Sequence, residues 1–330
     1  MAKLPVSIVI PTMNMSAHLD GLLRSLEQLS PMVDEILVVN DGSTDQTEAI
    51  VAKYSFARLM TLKENQGRFK ARWMGAKEAR SPWLLFLDTR LEPASDFLEA
   101  LASEVSEAKP SIGWVEIDPK QNVFCLYWLR SHETLFSEHY GIFPEGVELT
   151  LENYDRYLKG TGVYLCRREH FLAVCEELGS RQILSDDTLL LKKMLSRERL
   201  WINPKLRVHW EPRSNATAFL YRLFERGPGF VEYHIFQHRG RFFYLVLLSL
   251  ILLSSWIWLL FAQPWLAGEI ACAVLLLLGL SARLFAKSWE EFVKMAPLHV
   301  AVIFAFGLGV IYGLAYHFLS LARGTSAKPN

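Results

Sequence analysis

The chain has 330 residues, of which 35 are basic and 35 acidic, and this balance gives no sign of the basic surface that nucleic-acid binding requires. Its four cysteines lack CxxC or Cys/His ligand spacing, which argues against a zinc site or a disulfide framework. At 51% hydrophobic residues the chain is too apolar for an ordinary soluble protein. The excess lies towards the C-terminus, because only six charged residues fall between Phe242 and Leu321. The composition therefore divides the chain near residue 240.

Short apolar runs alternate with amphipathic stretches over residues 6–117. The runs predict strands at VSIVI, EILVV, ARLMTL, WLLFL and SIGWVEI, and the stretches between them predict helices over 17–29, 44–54, 67–79 and 95–107. This alternation predicts an α/β fold with a doubly wound, mainly parallel sheet and helices on both faces. The N-terminal apolar run is too short for a signal peptide, so we interpret it as the first strand and expect this domain in the cytosol.

Polar side chains stand where three of the predicted strands end. Thr12 and Asn14 follow the first strand together with Pro11, Asp41 follows the second, and Asp88 follows the fourth. Ligands of such sheets bind outside the carboxyl ends of the strands, so these residues predict a binding site at one rim. Turn chemistry alone also favours Asn and Asp at these positions, and it stands as the alternative.

Two uncharged stretches after residue 240 are long enough to cross a bilayer, whose apolar core of about 30 Å takes about 20 helical residues. They cover residues 242–268 and 295–322. A third candidate lies between them if Glu269 and Arg283 sit near the interfaces. We therefore predict a membrane domain over 242–323 with about three transmembrane helices: 242–262, 266–286 and 298–321. A buried hydrophobic hairpin in a soluble protein is the alternative.

Basic residues set the expected orientation. They precede the first span and fill the link between the second and third: Arg239, Arg241, Arg283, Lys287 and Lys294. The positive-inside rule then places the large N-terminal domain in the cytoplasm and the protein in the cell (inner) membrane as a multi-pass protein. Three spans leave the basic C-terminal tail outside, which fits the rule poorly, so the number of spans and the side of the C-terminus stay open.

Five stretches before residue 240 carry a family resemblance. They are SIVIPTMN (7–14), VDEILVVNDGSTDQT (33–47), NQGRFKAR (65–72), FLDTRLEP (86–93) and SDDTLLLKK (185–193). In their order and separations the chain resembles a family 2 glycosyltransferase with the A-type nucleotide-sugar-binding fold. The resemblance implies a catalytic domain over 1–210, an amphipathic juxtamembrane connector over 211–241 and then the membrane domain.

The resemblance also implies a donor site and a catalytic base. The donor-binding residues would be Pro11, Thr12, Asn14, Asp41, Arg72, Asp88 and Arg90. Asp41 would accept hydrogen bonds from a uracil-type base, while Asp45 would mainly cap the next helix. Asp187 would be the general base that takes a proton from the acceptor hydroxyl. Two acids before a helix also suit the helix dipole, which is the alternative for this pair.

The acceptor side is expected near the membrane. Asp186 would be the acidic neighbour of the base, and His209 resembles a histidine near the metal of related enzymes. Arg222 and Arg226 lie one helical turn apart in the connector. They would face either lipid headgroups or an anionic acceptor.

The stretch FLDTRLEP departs from the family. The family usually has Asp-x-Asp, whose second aspartate helps to bind a divalent cation, whereas this chain has Asp88 and then Arg90. In one alternative Arg90 contacts the diphosphate, because a planar guanidinium matches phosphate oxygens. In another, Mg²⁺ or Mn²⁺ still binds through Asp88 with help from the substrate and from His209. In the third, the site has lost activity. The presence of Asp41, Arg72 and Asp187 argues against that loss, and the metal requirement stays open.

Together these features predict a membrane-bound, non-processive, inverting glycosyltransferase. It would move a sugar from a nucleotide-diphosphate donor, with UDP-sugars favoured, to a lipid-linked or other membrane-proximal acceptor in glycan or polysaccharide assembly. The Gln-x-x-Arg-Trp motif of processive synthases is missing, which favours single additions. The alternative is a non-catalytic membrane scaffold with a degenerate donor site. A dinucleotide oxidoreductase is disfavoured, because no GxGxxG follows the first strand.

Overall fold

The computed structural model describes residues 3–179, 186–211, 215–237 and 240–322. Contacts between α-carbons divide the chain into two compact units. The first contains Met1–Asp118 and Phe136–Pro212, and the second contains Pro119–Leu135 and Arg213–Asn330. The chain therefore passes between the units three times. The sequence predicted one continuous catalytic domain over 1–210, whereas residues 119–135 group with the C-terminal helices in the structure.

The described part of the first unit contains nine strands in one sheet. They are β1 (Leu4–Thr12), β2 (Val33–Asn40), β3 (Ala57–Thr61), β4 (Trp83–Leu87), β5 (Leu91–Pro93), β6 (Ser111–Glu116), β7 (Val147–Leu149), β8 (Val163–Arg167) and β9 (Leu200–Trp210). The order is β3-β2-β1-β4-β8-β6-β9-β5, and β7 pairs with β9. All five strands predicted from apolar runs are present.

The first four strands in this order are parallel, and β8 runs antiparallel to β4. Thr12 lies beside Asn40 in the register, so the polar strand ends meet at one edge. The α/β fold class is confirmed. The sheet is mixed, however, because β5, β7 and β8 all pair antiparallel with their neighbours. Periodicity does not report strand direction, which is why the sequence indicated a mainly parallel sheet.

Helices cover both faces of this sheet, as predicted. They are α1 (Ser16–Leu26), α2 (Thr47–Val51), α3 (Arg68–Glu78), α4 (Phe97–Ser106), then, after a segment of the second unit, α6 (Ser137–Gly141), α7 (Arg168–Leu178) and α8 (Asp186–Met194). Short 3₁₀ turns lie at Ser30–Met32 and Tyr154–Arg156. In β1, Ile8 and Ile10 face the core cluster that includes α1 and α4, whereas Val9 faces the cluster that includes α3 and α7.

Helix α3 lies unusually close to the sheet. A β-carbon on Gly75 would come within 2.5 Å of Val9 Cγ1 and 2.9 Å of Val39 Cγ2. These distances are shorter than any van der Waals contact, so only glycine permits this approach. The close packing sets the depth of the preceding turn of α3, which carries Arg72.

The second unit is helical. Its elements are α5 (Val123–Leu135), α9 (Ala216–Val231), a π-helical turn (Glu232–Gln237), α10 (Arg241–Ala262), α11 (Pro264–Ser281), a 3₁₀ turn (Ala282–Leu284) and α12 (Trp289–Ala322). Helix α9 packs backbone to backbone on α12, because a β-carbon on Gly227 would lie 2.0 Å from the carbonyl carbon of Gly309. Helix α5 packs on the same pair through Leu126 and Tyr127.

A partly buried charge cluster joins α5 to the start of α12. The Arg130 guanidinium donates to both carboxylate oxygens of Glu291, with Nη2 to Oε1 at 2.6 Å and Nε to Oε2 at 2.9 Å. Arg130 also pairs with Glu133, which in turn pairs with Lys287. Bidentate arginine–carboxylate pairs are among the stronger polar contacts in proteins. Helix α5 is therefore held by charge at one end and by apolar packing along its length.

Three helices of the described chain are long and apolar enough to cross a membrane: Phe242–Ala262, Pro264–Leu284 and Trp289–Leu319. These match the three predicted spans. The third helix begins nine residues earlier than the predicted span, at Trp289 instead of 298. The charged residues Glu290, Glu291 and Lys294 belong to the first turns of this helix. Charge in the sequence therefore indicated where the apolar segment begins, whereas the helix itself begins earlier.

Candidate active site

A buried arginine stands at the centre of the site. Arg72 lies in the second turn of α3 and its side chain is 2% exposed. One guanidinium nitrogen, Nη2, donates to Asp88 Oδ1 at 3.1 Å. The other, Nη1, lies 3.9 Å from Asp187 Oδ1. A buried guanidinium requires anionic partners, and here it brings together two carboxylates that are 99 residues apart in the chain.

Asp88 directly follows β4, at the edge where the parallel strands end. Its backbone N–H donates to the Gly162 carbonyl at 2.9 Å, which fixes it beside the start of β8. A β-carbon on Gly162 would lie 3.3 Å from Asp88 Oδ2, so this glycine leaves room for the carboxylate. With 42% of its side chain exposed, Asp88 is accessible to a ligand.

Asp187 is the second residue of α8, and 36% of its side chain is exposed. Its Oδ1 accepts hydrogen bonds from the Thr161 hydroxyl and from the Thr161 backbone N–H, the latter at 3.3 Å. Burial opposes ionisation, but the positive charges of Arg68 and Arg72 and the Thr161 hydrogen bonds prevail and hold the pKa of Asp187 below its usual range. Asp187 is thus an ionised carboxylate at neutral pH.

Asp41 organises the loop before α3. The carboxylate is 4% exposed, and it accepts the backbone N–H of Gln66 at 2.8 Å on Oδ1 and that of Gly67 at 3.0 Å on Oδ2. The next residue, Gly42, has a φ of +70°, and a β-carbon there would lie 2.7 Å from the Asn65 nitrogen. Asp41 was predicted to bind a base. The structure adds a loop-holding role that the motif did not reveal.

Asn14 and Asp45 tie the first two loops of the rim together. Asn14, with a φ of +51°, accepts the Thr44 N–H at 2.8 Å and donates its own N–H to the Ser43 hydroxyl. Asp45 accepts the first N–H of α1, from Ser16, at 2.9 Å, and that of α2, from Thr47, at 3.1 Å. The expected capping role of Asp45 is therefore present, for two helices at once. The described hydrogen bonds of Asn14 are thus made with Ser43 and Thr44 of the second loop.

Pro11 and Thr12 end β1 next to β2. Pro11 is half-buried, and the Thr12 carbonyl accepts the Asp41 N–H at 2.8 Å. The Thr12 hydroxyl is buried, with the residue 4% exposed, and it has no hydrogen-bond partner within the described chain. These two residues lie at the rim as predicted.

Arg90 and His209 lie on the β5–β9 side of the sheet. The Arg90 Nη1 donates to the Glu211 carbonyl at 3.4 Å, and the Glu211 N–H donates back to the Arg90 carbonyl at 2.8 Å. The His209 Nδ1 lies 3.0 Å from Glu116 Oε2, and the ring is 58% exposed. The histidine thus stands beside a carboxylate of β6, and none of its described contacts reaches Asp88. The resemblance suggested His209 as a histidine near the metal, and that role stays a prediction.

A divalent cation is the cofactor that the motif implies. Within the described residues, no group of three His, Cys, Asp or Glu side chains is arranged to hold a metal. Mg²⁺ commonly binds through one or two carboxylates together with substrate phosphates. Asp88, exposed at the rim, fits that mode as a single protein carboxylate. The donor set therefore suits a cation brought in with a diphosphate and does not form a cage of its own.

The remaining predicted residues are Asp186, Arg222 and Arg226. Asp186 is the first residue of α8, and its side chain lies outside the described residues. Arg222 and Arg226 belong to α9 of the second unit. There Arg222 pairs with Glu225 at 3.3 Å, and the Arg226 guanidinium lies 4.5 Å from the centre of the Trp128 ring. Thr161, in contrast, was missed, and its only signal is the glycine-flanked sequence KGTG (159–162) before β8.

Polar strand ends on a mixed α/β sheet, with a carboxylate pair around a buried arginine, define the class of nucleotide-diphospho-sugar transferase folds. The chain belongs to glycosyl transferase family 2, whose model matches residues 7–185. It is similar to a mannosyltransferase from Pyrobaculum calidifontis solved with GDP-Man and Mn²⁺, with a TM-score of 0.59 over 94% of this chain and 88% of that one. At 14% identity, this likeness concerns the fold alone.

Curated relatives match over shorter regions. An uncharacterized glycosyltransferase of Haemophilus influenzae is 36% identical over 84 residues, which is 25% of this chain and 28% of that protein. A PGL/p-HBAD biosynthesis glycosyltransferase of Mycobacterium bovis is 36% identical over 117 residues, which is 34% of this chain and 45% of that protein. The chain thus spans less than half the length of these relatives.

Proposed function

We propose that this protein transfers a sugar from a nucleoside diphosphate donor to an acceptor hydroxyl at a membrane surface, with inversion at the anomeric carbon. The observation that carries the proposal is the convergence of Asp88 and Asp187 on the buried Arg72, in a chain of glycosyl transferase family 2. One carboxylate lies at the rim where parallel strands end, which is where ligands of such sheets bind. The other is an ionised base.

The proposed reaction is a direct displacement. Asp187 accepts the proton of the acceptor hydroxyl while the acceptor oxygen bonds to the anomeric carbon. The bond from that carbon to the diphosphate oxygen breaks, and the nucleoside diphosphate leaves with the electron pair. Arg72 holds both carboxylates in place. A divalent cation, held by Asp88 and the diphosphate, would screen the negative charge of the leaving group when bound.

The second unit supports our proposals for the acceptor and for the location. We favour a UDP-sugar as donor because Asp41, which follows β2 at the rim, carries a carboxylate that can accept hydrogen bonds from a uracil-type base. Three helices long enough to cross a membrane favour a lipid-linked acceptor, since confinement to the interface raises the local concentration of both partners. We further propose a multi-pass protein of the inner membrane, with the first unit cytoplasmic, that adds single sugars in glycan or polysaccharide assembly.

A donor panel tests the proposal. The purified full chain, with detergent-solubilised total membrane lipid as acceptor, is given UDP- and GDP-linked hexoses, and release of nucleoside diphosphate is measured. We expect release with one donor class and its loss in Asp187→Asn, with nucleotide affinity kept. A non-catalytic scaffold would give no release with any donor.

Chelation separates the two ways of neutralising the diphosphate. If a cation is required, EDTA abolishes release and Mg²⁺ or Mn²⁺ restores it, while Arg90→Ala keeps most of its turnover. If the Arg90 guanidinium replaces the cation, turnover survives EDTA and is lost in Arg90→Ala. The contact of Arg90 with the Glu211 carbonyl favours the first outcome, because it commits at least one guanidinium nitrogen to the backbone.

A further inference from the structure

We propose that Thr161 is a positioning residue that fixes the orientation of the Asp187 carboxylate, an inference that rests on the proposed function. Thr161 is fully buried, and it directs two donors at a single oxygen, Asp187 Oδ1. A carboxylate held by one oxygen through two donors cannot rotate freely about its terminal bond. The second oxygen, Oδ2, is then fixed in the direction from which it accepts a proton.

The residue before Thr161 leaves space beside that second oxygen. A β-carbon on Gly160 would lie 4.0 Å from Asp187 Oδ2. Any side chain larger than alanine would therefore extend from a point already in contact with the base. Gly160 has no such side chain, so the hydroxyl of an acceptor can approach Oδ2 from this side. The two oxygens of Asp187 thus differ: Thr161 donates to Oδ1, whereas Oδ2 faces a residue that has no side chain.

The segment that carries Thr161 is itself held at both ends. On its C-terminal side, the Gly162 carbonyl accepts the Asp88 N–H at 2.9 Å, which ties the segment to the end of β4. On its N-terminal side, the Lys159 ammonium donates to the Tyr154 and Tyr157 carbonyls, and the Tyr154 hydroxyl donates to the Thr188 carbonyl of α8 at 2.6 Å. The base is therefore positioned through its side chain and through the backbone of its own helix.

This arrangement predicts a specific kinetic effect. Replacing Thr161 by valine keeps the shape of the side chain but removes the hydroxyl donor. The Asp187 carboxylate then samples other orientations, so we expect kcat to fall while the affinity for the donor is kept. A hydrogen bond to a charged group corresponds to about a 10- to 100-fold change in an equilibrium or rate. We expect a loss of kcat in that range.

The experiment compares Thr161→Val, Thr161→Ser and Thr61→Val in the full chain. Thr61 is an exposed threonine that donates to Glu48 at 2.9 Å, so its replacement removes a similar hydroxyl–carboxylate bond away from Asp187. kcat and KM for the donor come from nucleoside diphosphate release with total membrane lipid as acceptor, and the affinity for UDP is measured by titration. We expect the loss of kcat in Thr161→Val alone, recovery in Thr161→Ser, and unchanged UDP affinity in all three.

The outcomes are separable. An inactive wild type would overturn the proposed function and this inference with it. An active wild type, with Thr161→Val at full kcat, would overturn the inference alone. A folded Thr161→Val variant that fails to bind UDP would contradict the inference, because Thr161 would then act in donor binding. If thermal unfolding shows that Thr161→Val is not folded, Thr161→Ala replaces it in the comparison. Equal losses in Thr161→Val and Thr161→Ser would also contradict the inference, because the hydroxyl would then not be the group that matters.

Discussion

Replacing Arg72 by methionine removes the cation that joins the two carboxylates of the site while keeping an unbranched apolar stem. A hydrogen bond to a charged group contributes about 1.5–3 kcal/mol, and the lower end applies because 42% of the Asp88 side chain is exposed to screening water. The longer contact to Asp187, at 3.9 Å, adds less than about 1 kcal/mol. We expect Arg72→Met to lower the free energy of unfolding by about 2 kcal/mol.

The same substitution changes the pH dependence of the reaction. Burial raises the pKa of Asp187, and in the wild type the charges of Arg68 and Arg72 together with the Thr161 hydrogen bonds outweigh this effect. Because the base must be ionised, wild-type activity is full above its depressed pKa and falls only as the pH drops through it. Without Arg72 the pKa of Asp187 rises, so the acid limb of the rate profile moves to higher pH. The stability contributed by the ionised carboxylate is lost over the same acid range.

Arg168→Met is the matched control. This arginine also belongs to the first unit, and it donates to the Ala76 and Lys77 carbonyls at 2.8 and 2.9 Å. Its loss should cost about 2 kcal/mol as well, at about 1 kcal/mol per hydrogen bond, without touching the site. The assays are thermal unfolding, where we expect a decrease of about 4–8 °C in both variants, and kcat against pH. An unmoved acid limb in Arg72→Met would refute the reasoning.

Three further predictions follow from the packing of the loops and helices. Asp41→Asn sets an amide N–H₂ against one of the two backbone donors, which costs about 1–3 kcal/mol, and we expect UDP affinity measured by titration to fall about tenfold. Unchanged affinity would show that the 65–67 loop does not depend on this carboxylate. Gly75→Val would drive side-chain carbons into Val9, so we expect no folded protein by size-exclusion chromatography, and a well-folded variant would contradict the observed depth of α3. Gly227→Leu should likewise separate α9 from α12 and lower the melting temperature while UDP affinity stays constant, and an unchanged melting temperature would argue against the backbone contact.

Much of the fold was readable because local patterns determine it. Five strands and four helices over residues 6–117 were predicted from periodicity, and the three apolar helices from length and charge. Strand direction was not predicted, because the apolar pattern of a strand such as β8 is the same whether it runs parallel or antiparallel to β4. The grouping of α5 with the C-terminal helices was also hidden, because its ion pair with Glu291 joins residues 161 positions apart.

The carboxylates and the arginine of the candidate site were identified in the sequence, but the hydrogen bonds that hold them were not. Asp88, Arg72 and Asp187 occur in stretches with a family resemblance. Thr161 has no such signal, because its role depends on the placement of β8 beside α8. The ion pair of His209 with Glu116 was not predicted either, because it depends on the pairing of β6 with β9.

The threefold passage of the chain between its two units has a consequence for dissection of the protein. A polypeptide ending near residue 212 would still contain α5, but Leu126 and Tyr127 would have lost Phe219, Leu223, Met295 and Val302. Such a fragment should aggregate through this bared apolar surface. When it is co-expressed with the separate piece from residue 213 onwards, however, the same surface together with the Arg130–Glu291 pair should let the halves reassemble. The protein is thus suited to split-fragment complementation, in which α5 supplies the contact surface between the two fragments.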